Sequence, residues 1–195
     1  MALQADRLEF TLADWEPYVG EIMVDYGCTA RAVTRACEIA GVECGFNFEG
    51  NWKRAWMIAA KGESHGTFPW AINEKRTTQM LHCPTPILME GQYAFYLKKA
   101  FPEGLEMSRM EQLKELEGAK PVAVRGYKEV QIMNDLGVEF HIVNTEPLVW
   151  KMMEAGRVNI FFASEPVGKT YMKQHSDLKL GEDVVMTGPV STFDY

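Results

Sequence analysis

One strand–helix module occurs twice in this 195-residue chain, with its landmarks in the same order. In the first half, a strand ends in the aromatic segment at residues 13–18, and a helical pattern follows over residues 29–40. In the second half, a strand over residues 121–124 is followed directly by another helical pattern. Because strands that alternate with helices build parallel sheets covered by helices, the repeat predicts two α/β lobes.

The lobe boundaries are predicted from the segments that lie between the modules. Residues 87–97 form a long extended run, and Gly188-Pro189 marks a second break. We therefore predict a first lobe over residues 1–92, to which residues 190–195 return, and a second lobe over residues 93–189. Two lobes joined by two crossings predict a ligand cleft between them, since clefts are the usual small-molecule sites.

Local signals define the elements within each lobe. Gly41 follows the first helical pattern and predicts its end, while Asn51 predicts the N-cap of the next helix. We also predict a short apolar strand at residues 65–68, a helical turn at residues 73–76 and a strand at residues 138–143.

Composition and charge exclude several functions. The net charge is −7, and no run of Lys and Arg is longer than a pair, so we predict no nucleic-acid surface. No apolar run approaches the roughly 20 residues that cross a bilayer, which predicts no membrane insertion. The N-terminus is too short and polar for a signal peptide, although Leu3-Gln4-Ala5 fits the small-residue end of one that has been removed.

The cysteines leave two interpretations open. All four, Cys28, Cys37, Cys44 and Cys83, lie in the first half, and their spacing matches no zinc site. We favour buried or half-buried thiols, and the alternative is one disulfide in an exported protein. The sequence predicts neither a metal nor a cofactor.

Short segments across nearly the whole chain resemble, in family order, the bacterial extracellular solute-binding proteins of family 3. These segments are residues 15–18, Gly41, residues 52–55, 61–62, 74–76, 116–118, 122–127 and 155–159. The resemblance implies a two-lobed type 2 periplasmic-binding-protein fold with mainly parallel sheets, flanking helices and a C-terminal part that is short for the family. It also implies a periplasmic protein, exported with a signal peptide, that binds a small organic solute and delivers it to the membrane permease of an ABC transporter. The solute would carry a carboxylate and be amino-acid-like or aromatic.

The same resemblance implies ligand-binding residues in the first lobe. Trp15 and Tyr18 would stack on the ligand, or else pack in the core or hinge. Phe68 and Trp70 replace small hydroxylated residues of amino-acid binders, which favours a bulkier or less polar solute, although Phe68 would serve equally well as strand core. Arg76 stands where the family places its carboxylate-binding arginine. We expect its replacement to leave the unliganded protein almost as stable, because a cleft arginine supports little of the core.

The second lobe supplies the remaining predicted ligand-binding residues. Arg125, Gly126 and Tyr127 form a strand-to-helix turn whose backbone N–H groups would face an anion. Ser164 takes the place of the carboxylate that grips the α-ammonium group in amino-acid binders, and Glu165 lies beside it. Glu165 would pair with a cationic ligand group, or else be an ordinary first-turn glutamate.

Three functions therefore remain open at this stage. The favoured one is solute binding for an ABC importer, without catalytic residues and driven by lobe closure. A ligand-sensing module of a receptor would use the same ligand chemistry with a different output. A cyclohexadienyl-dehydratase-like enzyme would need a general acid/base carboxylate, for which Glu165 is the candidate.

Overall fold

The computed structural model describes residues 7–195, so the signal-peptide remnant predicted at Leu3-Gln4-Ala5 lies outside the described residues. The chain divides into two compact units. The first comprises the described residues up to Leu88 together with Asp194 and Tyr195, and the second is Met89–Phe193. The predicted lobe boundaries after residues 92 and 189 stay a prediction.

The first unit is built on two parallel strands. They are β1 (Leu8–Leu12) and β2 (Cys44–Phe48), joined by helix α1 (Cys28–Ala40). Helix α1 ends at Gly41, whose left-handed φ of 73° is easy for a residue without Cβ. This helix end was predicted from the sequence.

Two further helices of the first unit begin at asparagine caps. Helix α2 (Trp52–Ala60) starts where the Asn51 side chain accepts a hydrogen bond from the Arg54 N–H, as predicted. Helix α3 (Glu74–Thr77) starts in the same way at Asn73, which confirms the predicted helical turn. The strand predicted at residues 65–68 is wrong, because only Gly66 forms an isolated bridge, to Phe10 of β1.

The second unit is a five-stranded mixed sheet with the strand order β5-β4-β6-β3-β7. Its strands are β3 (Met89–Leu97), β4 (Pro121–Val124), β5 (His141–Val143), β6 (Ile160–Ser164) and β7 (Val184–Asp194). Strands β4, β5 and β6 are parallel, whereas β3 runs antiparallel to β6. The strand predicted over residues 138–143 is shorter and begins only at His141. The helix that precedes it ends at Leu136, with Gly137 as its C-cap.

Three helices connect and cover the parallel strands of the second unit. They are α4 (Lys128–Leu136), α5 (Glu146–Glu154) and α6 (Glu165–His175). Trp150 of α5 is fully buried and meets the rings of Phe95 and Phe161 edge-on. Gly168 of α6 lies so close to the Phe95 ring that an added Cβ would be 2.4 Å from it. Helix α6 therefore packs tightly against the sheet.

No helix among residues 7–195 is both long and apolar enough to cross a membrane.

Candidate functional site

The carboxyl edge of the parallel strands in the second unit gathers the polar residues predicted there. Since β5, β4 and β6 are parallel neighbours, their carboxyl ends meet at one edge of the sheet. Such an edge is where open α/β sheets bind ligands. The residues that follow the three strands are Arg125, Gly126 and Tyr127 after β4, Asn144 and Thr145 after β5, and Glu165 after Ser164 of β6. We call this group the carboxyl-edge site.

Two hydroxyl groups of this site are buried without a hydrogen-bond partner in the described structure. They are the phenol oxygen of Tyr127, at the N-cap of α4, and Oγ of Ser164, at the N-cap of α6. Ser164 is only 2% exposed. A buried polar group without a partner costs about 1–3 kcal/mol, and such groups usually have a functional explanation.

The helix ends at this edge favour negative charge. The first N–H groups of α4 and α6 point toward their N-termini and carry a partial positive charge there. Arg125 is exposed beside them, and its Nε donates to Asn144 Oδ1 at 3.0 Å. The carboxylate of Glu165 forms an ion pair with Lys169 one turn further along α6, and both side chains are about two-fifths exposed. The site therefore presents backbone and hydroxyl donors, the exposed Arg125 and the Glu165–Lys169 ion pair.

Arg76 of the first unit is held by aromatic rings and a carbonyl. Its side chain is 8% exposed, and the guanidinium carbon lies 4.7 Å from the Trp70 ring centroid and 5.7 Å from that of Trp56. Nη1 donates to the carbonyl oxygen of Ala71. The Arg76 side chain is therefore buried and stacked rather than solvated at the surface; its contact with a ligand stays a prediction.

Solved structures with the same architecture were found by comparison, although no protein-family model and no curated protein matches the chain. The GluR0 ligand-binding core in complex with L-glutamate is 15% identical, with a TM-score of 0.75 over 98% of this chain and 83% of that chain. A histidine kinase sensor domain with similarity to periplasmic binding proteins is 14% identical, with a TM-score of 0.74 over 98% and 80%. A candidate binding component of an ABC transporter from Wolinella succinogenes, complexed with lysine, is 14% identical, with a TM-score of 0.72 over 96% and 79%.

The chain has the type 2 periplasmic-binding-protein fold. This confirms the fold predicted from the duplicated module and from the family resemblance. At such low identities the likeness concerns the fold alone, so the ligand-binding residues have to be argued from this chain's own geometry.

Within this periplasmic-binding-protein fold, Trp15 and Tyr18 form one group of ring contacts. Trp15 is 5% exposed, and its ring centroid lies 4.9 Å from both Tyr18 and Tyr195. Its backbone N–H donates to Val19 O at 2.8 Å, which closes the turn after β1. These contacts fit the core or hinge interpretation, while ligand stacking by either residue stays a prediction.

Phe68 packs in an aromatic cluster on the strands of the first unit. Its ring centroid lies 5.5 Å from Phe10 of β1 and 5.7 Å from Phe46 of β2, both edge-on. All three side chains are half-buried. Phe68 thus packs on the sheet although it is not itself in a strand, and its contact with a ligand stays a prediction.

Trp70 packs against Arg76, while contact of either residue with a ligand stays a prediction. Trp70 is 8% exposed, and its Nε1 donates to Thr67 Oγ1 at 2.9 Å. The Trp52 and Trp56 rings meet it edge-on, with centroids 5.1 and 5.0 Å away. We call Trp52, Trp56, Trp70 and Arg76 the tryptophan–arginine cluster. Because Arg76 is part of this packing, our expectation that its loss would leave stability unchanged has to be corrected.

Glu146 is a residue of the carboxyl edge that the sequence analysis missed. It is 3% exposed in the first turn of α5, just beyond the end of β5. Glu129 in the first turn of α4 is also buried, at 4% exposed. The available signal was a glutamate three residues after a short strand. An exposed glutamate in the first turn of a helix gives the same sequence pattern.

The cysteines differ from the favoured prediction. Cys37 of α1 and Cys44 of β2 form a disulfide, with their Cα atoms 6.2 Å apart, while Cys28 and Cys83 are exposed thiols. The two bonded residues are seven positions apart, and the turn at Gly41 between α1 and β2 lets them meet. Within residues 7–195, no cluster of three or more His, Cys, Asp or Glu side chains has the arrangement of a metal site.

Proposed function

We propose that this protein binds a small organic solute that carries a carboxylate. The observation that carries the proposal is the pair of buried hydroxyls, on Tyr127 and Ser164, at the N-termini of two helices of the carboxyl-edge site. A carboxylate there would accept hydrogen bonds from a hydroxyl and from backbone N–H groups, and it would interact favourably with the helix dipoles.

Arg76 supports the same ligand class from the first unit. A guanidinium has five N–H donors in a planar fork whose geometry suits a carboxylate, and Nη1 of Arg76 donates to the Ala71 carbonyl. Stacking on two tryptophan rings fixes the orientation of this fork, so little entropy would be lost on binding. A ligand held by residues of both units remains the prediction of the sequence analysis.

The named ligands of the structural neighbours support small-solute binding. Two of them were solved with L-glutamate and with lysine, both of which carry a carboxylate. All three neighbours described above are named for ligand binding or sensing. The enzyme alternative has no comparable support, because its candidate acid/base, Glu165, is paired with Lys169.

We further propose that the protein works outside the cytoplasm and delivers its solute to the permease of an ABC importer. The Cys37–Cys44 disulfide supports an oxidising compartment, such as the periplasm. The neighbour that is a candidate ABC-transporter component supports the importer role, and the histidine kinase sensor domain supports the sensing alternative. Genes for a permease and an ATPase beside this gene would favour import, whereas a kinase gene would favour sensing.

The test is binding by protein purified without denaturation. Native mass spectrometry would look for a retained solute, and thermal melting would then be measured with a panel of carboxylic acids and their primary amides. An acid in about 100-fold excess over its Kd should add about 2.7 kcal/mol of stability, while the matched amide should add much less. A chain that retains no solute and responds to no acid would contradict the proposal.

A variant pair makes the test specific to the carboxyl-edge site. Tyr127→Phe removes only the buried hydroxyl and should weaken binding of the best acid about 3- to 10-fold, the value of one hydrogen bond. Tyr26→Phe removes a phenol hydroxyl from a partly exposed residue of the first unit and serves as the control. Equal affinities in the two variants would mean that the Tyr127 hydroxyl does not contact the solute.

A further inference from the structure

We infer that Gln92 of β3 is a further ligand-binding residue of the carboxyl-edge site, where its amide binds the same carboxylate as the Ser164 hydroxyl. The inference rests on the proposed function and adds a residue from the antiparallel strand of the sheet. It follows from the position of Gln92 at the end of the β3–β6 ladder and from the unsatisfied hydroxyl group beside it.

Gln92 and Ser164 form the last pair of the β3–β6 ladder. Strand β6 ends at Ser164, so nothing of this strand extends beyond the pair, and the pair lies at the carboxyl edge. Residues that pair directly across antiparallel strands have Cβ atoms about 4.5–5.5 Å apart and project to the same face. A group that accepts a hydrogen bond from the Ser164 hydroxyl is therefore within reach of the Gln92 amide as well.

Both side chains project to the face of the sheet that α4 covers. Phe95 and Phe161 pair in the same ladder, and both rings meet Trp150 of α5. Gln92 and Ser164 lie three residues from these rings, so the alternation of side chains along a strand turns them to the opposite face. Right-handed crossings from β4 to β5 and from β5 to β6 run in opposite directions along the sheet, so their helices α4 and α5 lie on opposite faces. The pair thus lies on the α4 face of the carboxyl edge.

The hydrogen bonds of this pair indicate a third group between the two side chains. Gln92 is 1% exposed and Ser164 is 2% exposed, so neither can rely on solvent. Ser164 Oγ has no hydrogen-bond partner in the described structure, so the neighbouring amide does not bond to it. Gln92 already interacts with other groups of the chain. A carboxamide has two N–H donors and an oxygen with two lone pairs, however, so it can bind more than one group. A carboxylate oxygen placed between the two side chains would accept from both.

Uncharged donors matter at this edge because its charged side chains nearly cancel. The basic residues at and near the starts of α4, α5 and α6 are Arg125, Lys128 and Lys169, and the acidic ones are Glu129, Glu146 and Glu165. Glu90 of β3 adds one more acidic group two positions before Gln92. The side-chain charges therefore give a carboxylate no net attraction, and its binding depends on the helix dipoles and on neutral donors.

The test compares acids with their primary amides. The probes are L-glutamate, L-lysine and 3-phenylpropanoate, each beside the compound in which its carboxylate, the α-carboxylate of the amino acids, is a primary amide. Affinities would be measured by calorimetric titration. Gln92→Met keeps the length of the side chain and removes its donors. The affinity for the acid should fall about tenfold or more, while that for the amide should fall only about threefold, because a hydrogen bond to a charged acceptor is the stronger one.

Two further variants complete the experiment. Gln92→Asn keeps the amide but withdraws it by one methylene, so it should lower the ratio of acid to amide affinity in the same direction, and it keeps the test open if the methionine variant does not fold. Gln131→Met is the matched control, because Gln131 lies on the exposed side of α4 in the same unit. Its ratio of affinities should equal that of the parent protein.

The other outcomes are equally decisive. A folded Gln92→Met protein that binds the acid as tightly as the parent would overturn the inference, because Gln92 would then not contact the solute. Equal losses for acid and amide would also overturn it, since Gln92 would then act only on the shape of the site. Both results leave the proposed function standing. If the parent protein binds none of these acids and no acid of the wider panel, the proposed function fails and the inference fails with it.

Discussion

Replacing Arg76 with alanine should destabilise the first unit even when no solute is bound. The guanidinium is buried over the Trp70 and Trp56 rings and donates to the Ala71 carbonyl. Alanine would remove both interactions, leave two ring faces uncovered and deprive a carbonyl of its donor. The side chain of Arg76 is therefore part of the packing of this unit.

The size of the effect follows from these contacts. A hydrogen bond from a charged donor contributes about 1.5–3 kcal/mol, and a desolvated cation–π contact contributes about 2 kcal/mol. The two are not fully additive, so we expect the free energy of unfolding to fall by about 2–4 kcal/mol. With a slope near 2 kcal/mol per M, the midpoint of urea unfolding would fall by about 1–2 M.

Tryptophan fluorescence during urea unfolding is a suitable assay. The chain has five tryptophans, and the first unit holds four of them: Trp15, Trp52, Trp56 and Trp70. The signal therefore reports mainly on the unit that contains Arg76. Arg76→Lys keeps the charge but not the planar stacking, so it should recover only part of the lost stability.

Arg54→Ala is the matched control for this experiment. Arg54 lies on α2, the helix that carries Trp52 and Trp56, but its side chain is 68% exposed and pairs with Glu49. We expect its loss to change stability by less than about 1 kcal/mol. If Arg76→Ala and Arg54→Ala unfold at the same urea concentration, the reasoning that places Arg76 in the packing of the first unit is refuted.

Two further predictions concern packing and covalent stabilisation. Gly168→Ala should destabilise the second unit by about 1–3 kcal/mol, because the new Cβ would meet the Phe95 ring. Urea unfolding monitored by circular dichroism measures this loss. An unchanged unfolding midpoint would show that the Phe95 ring moves aside at little cost. Reducing the disulfide should lower stability by about 2–3 kcal/mol, since Cys37 and Cys44 close a short loop. A reductant should thus lower the melting temperature of the parent protein but not of Cys37→Ser, and an equal response of both would argue against the pairing.

The sequence alone determined the order and type of most elements. Helix starts at Asn51 and Asn73 and a helix end at Gly41 depend on hydrogen bonds and φ angles within a few residues, so local patterns predict them. The alternation of strands and helices likewise predicted the layered α/β architecture. The strand predicted at residues 65–68 failed because its apolar residues are used in side-chain packing on β1 and β2 rather than in a continuous ladder.

The candidate site was predicted only in part, for the same physical reason. The sequence placed Tyr127 in a strand-to-helix turn, and the family resemblance implied Ser164. The parallel order of β4 and β6 then brought the ends of these two strands to one edge of the sheet. Burial, however, depends on residues that are distant along the chain. It was the tertiary structure that paired Cys37 with Cys44 and stacked Arg76 on Trp70 and Trp56. The Trp56–Arg76 contact joins segments 20 positions apart, and even the short Cys37–Cys44 link needs α1 and β2 to adopt a particular orientation that local patterns do not specify.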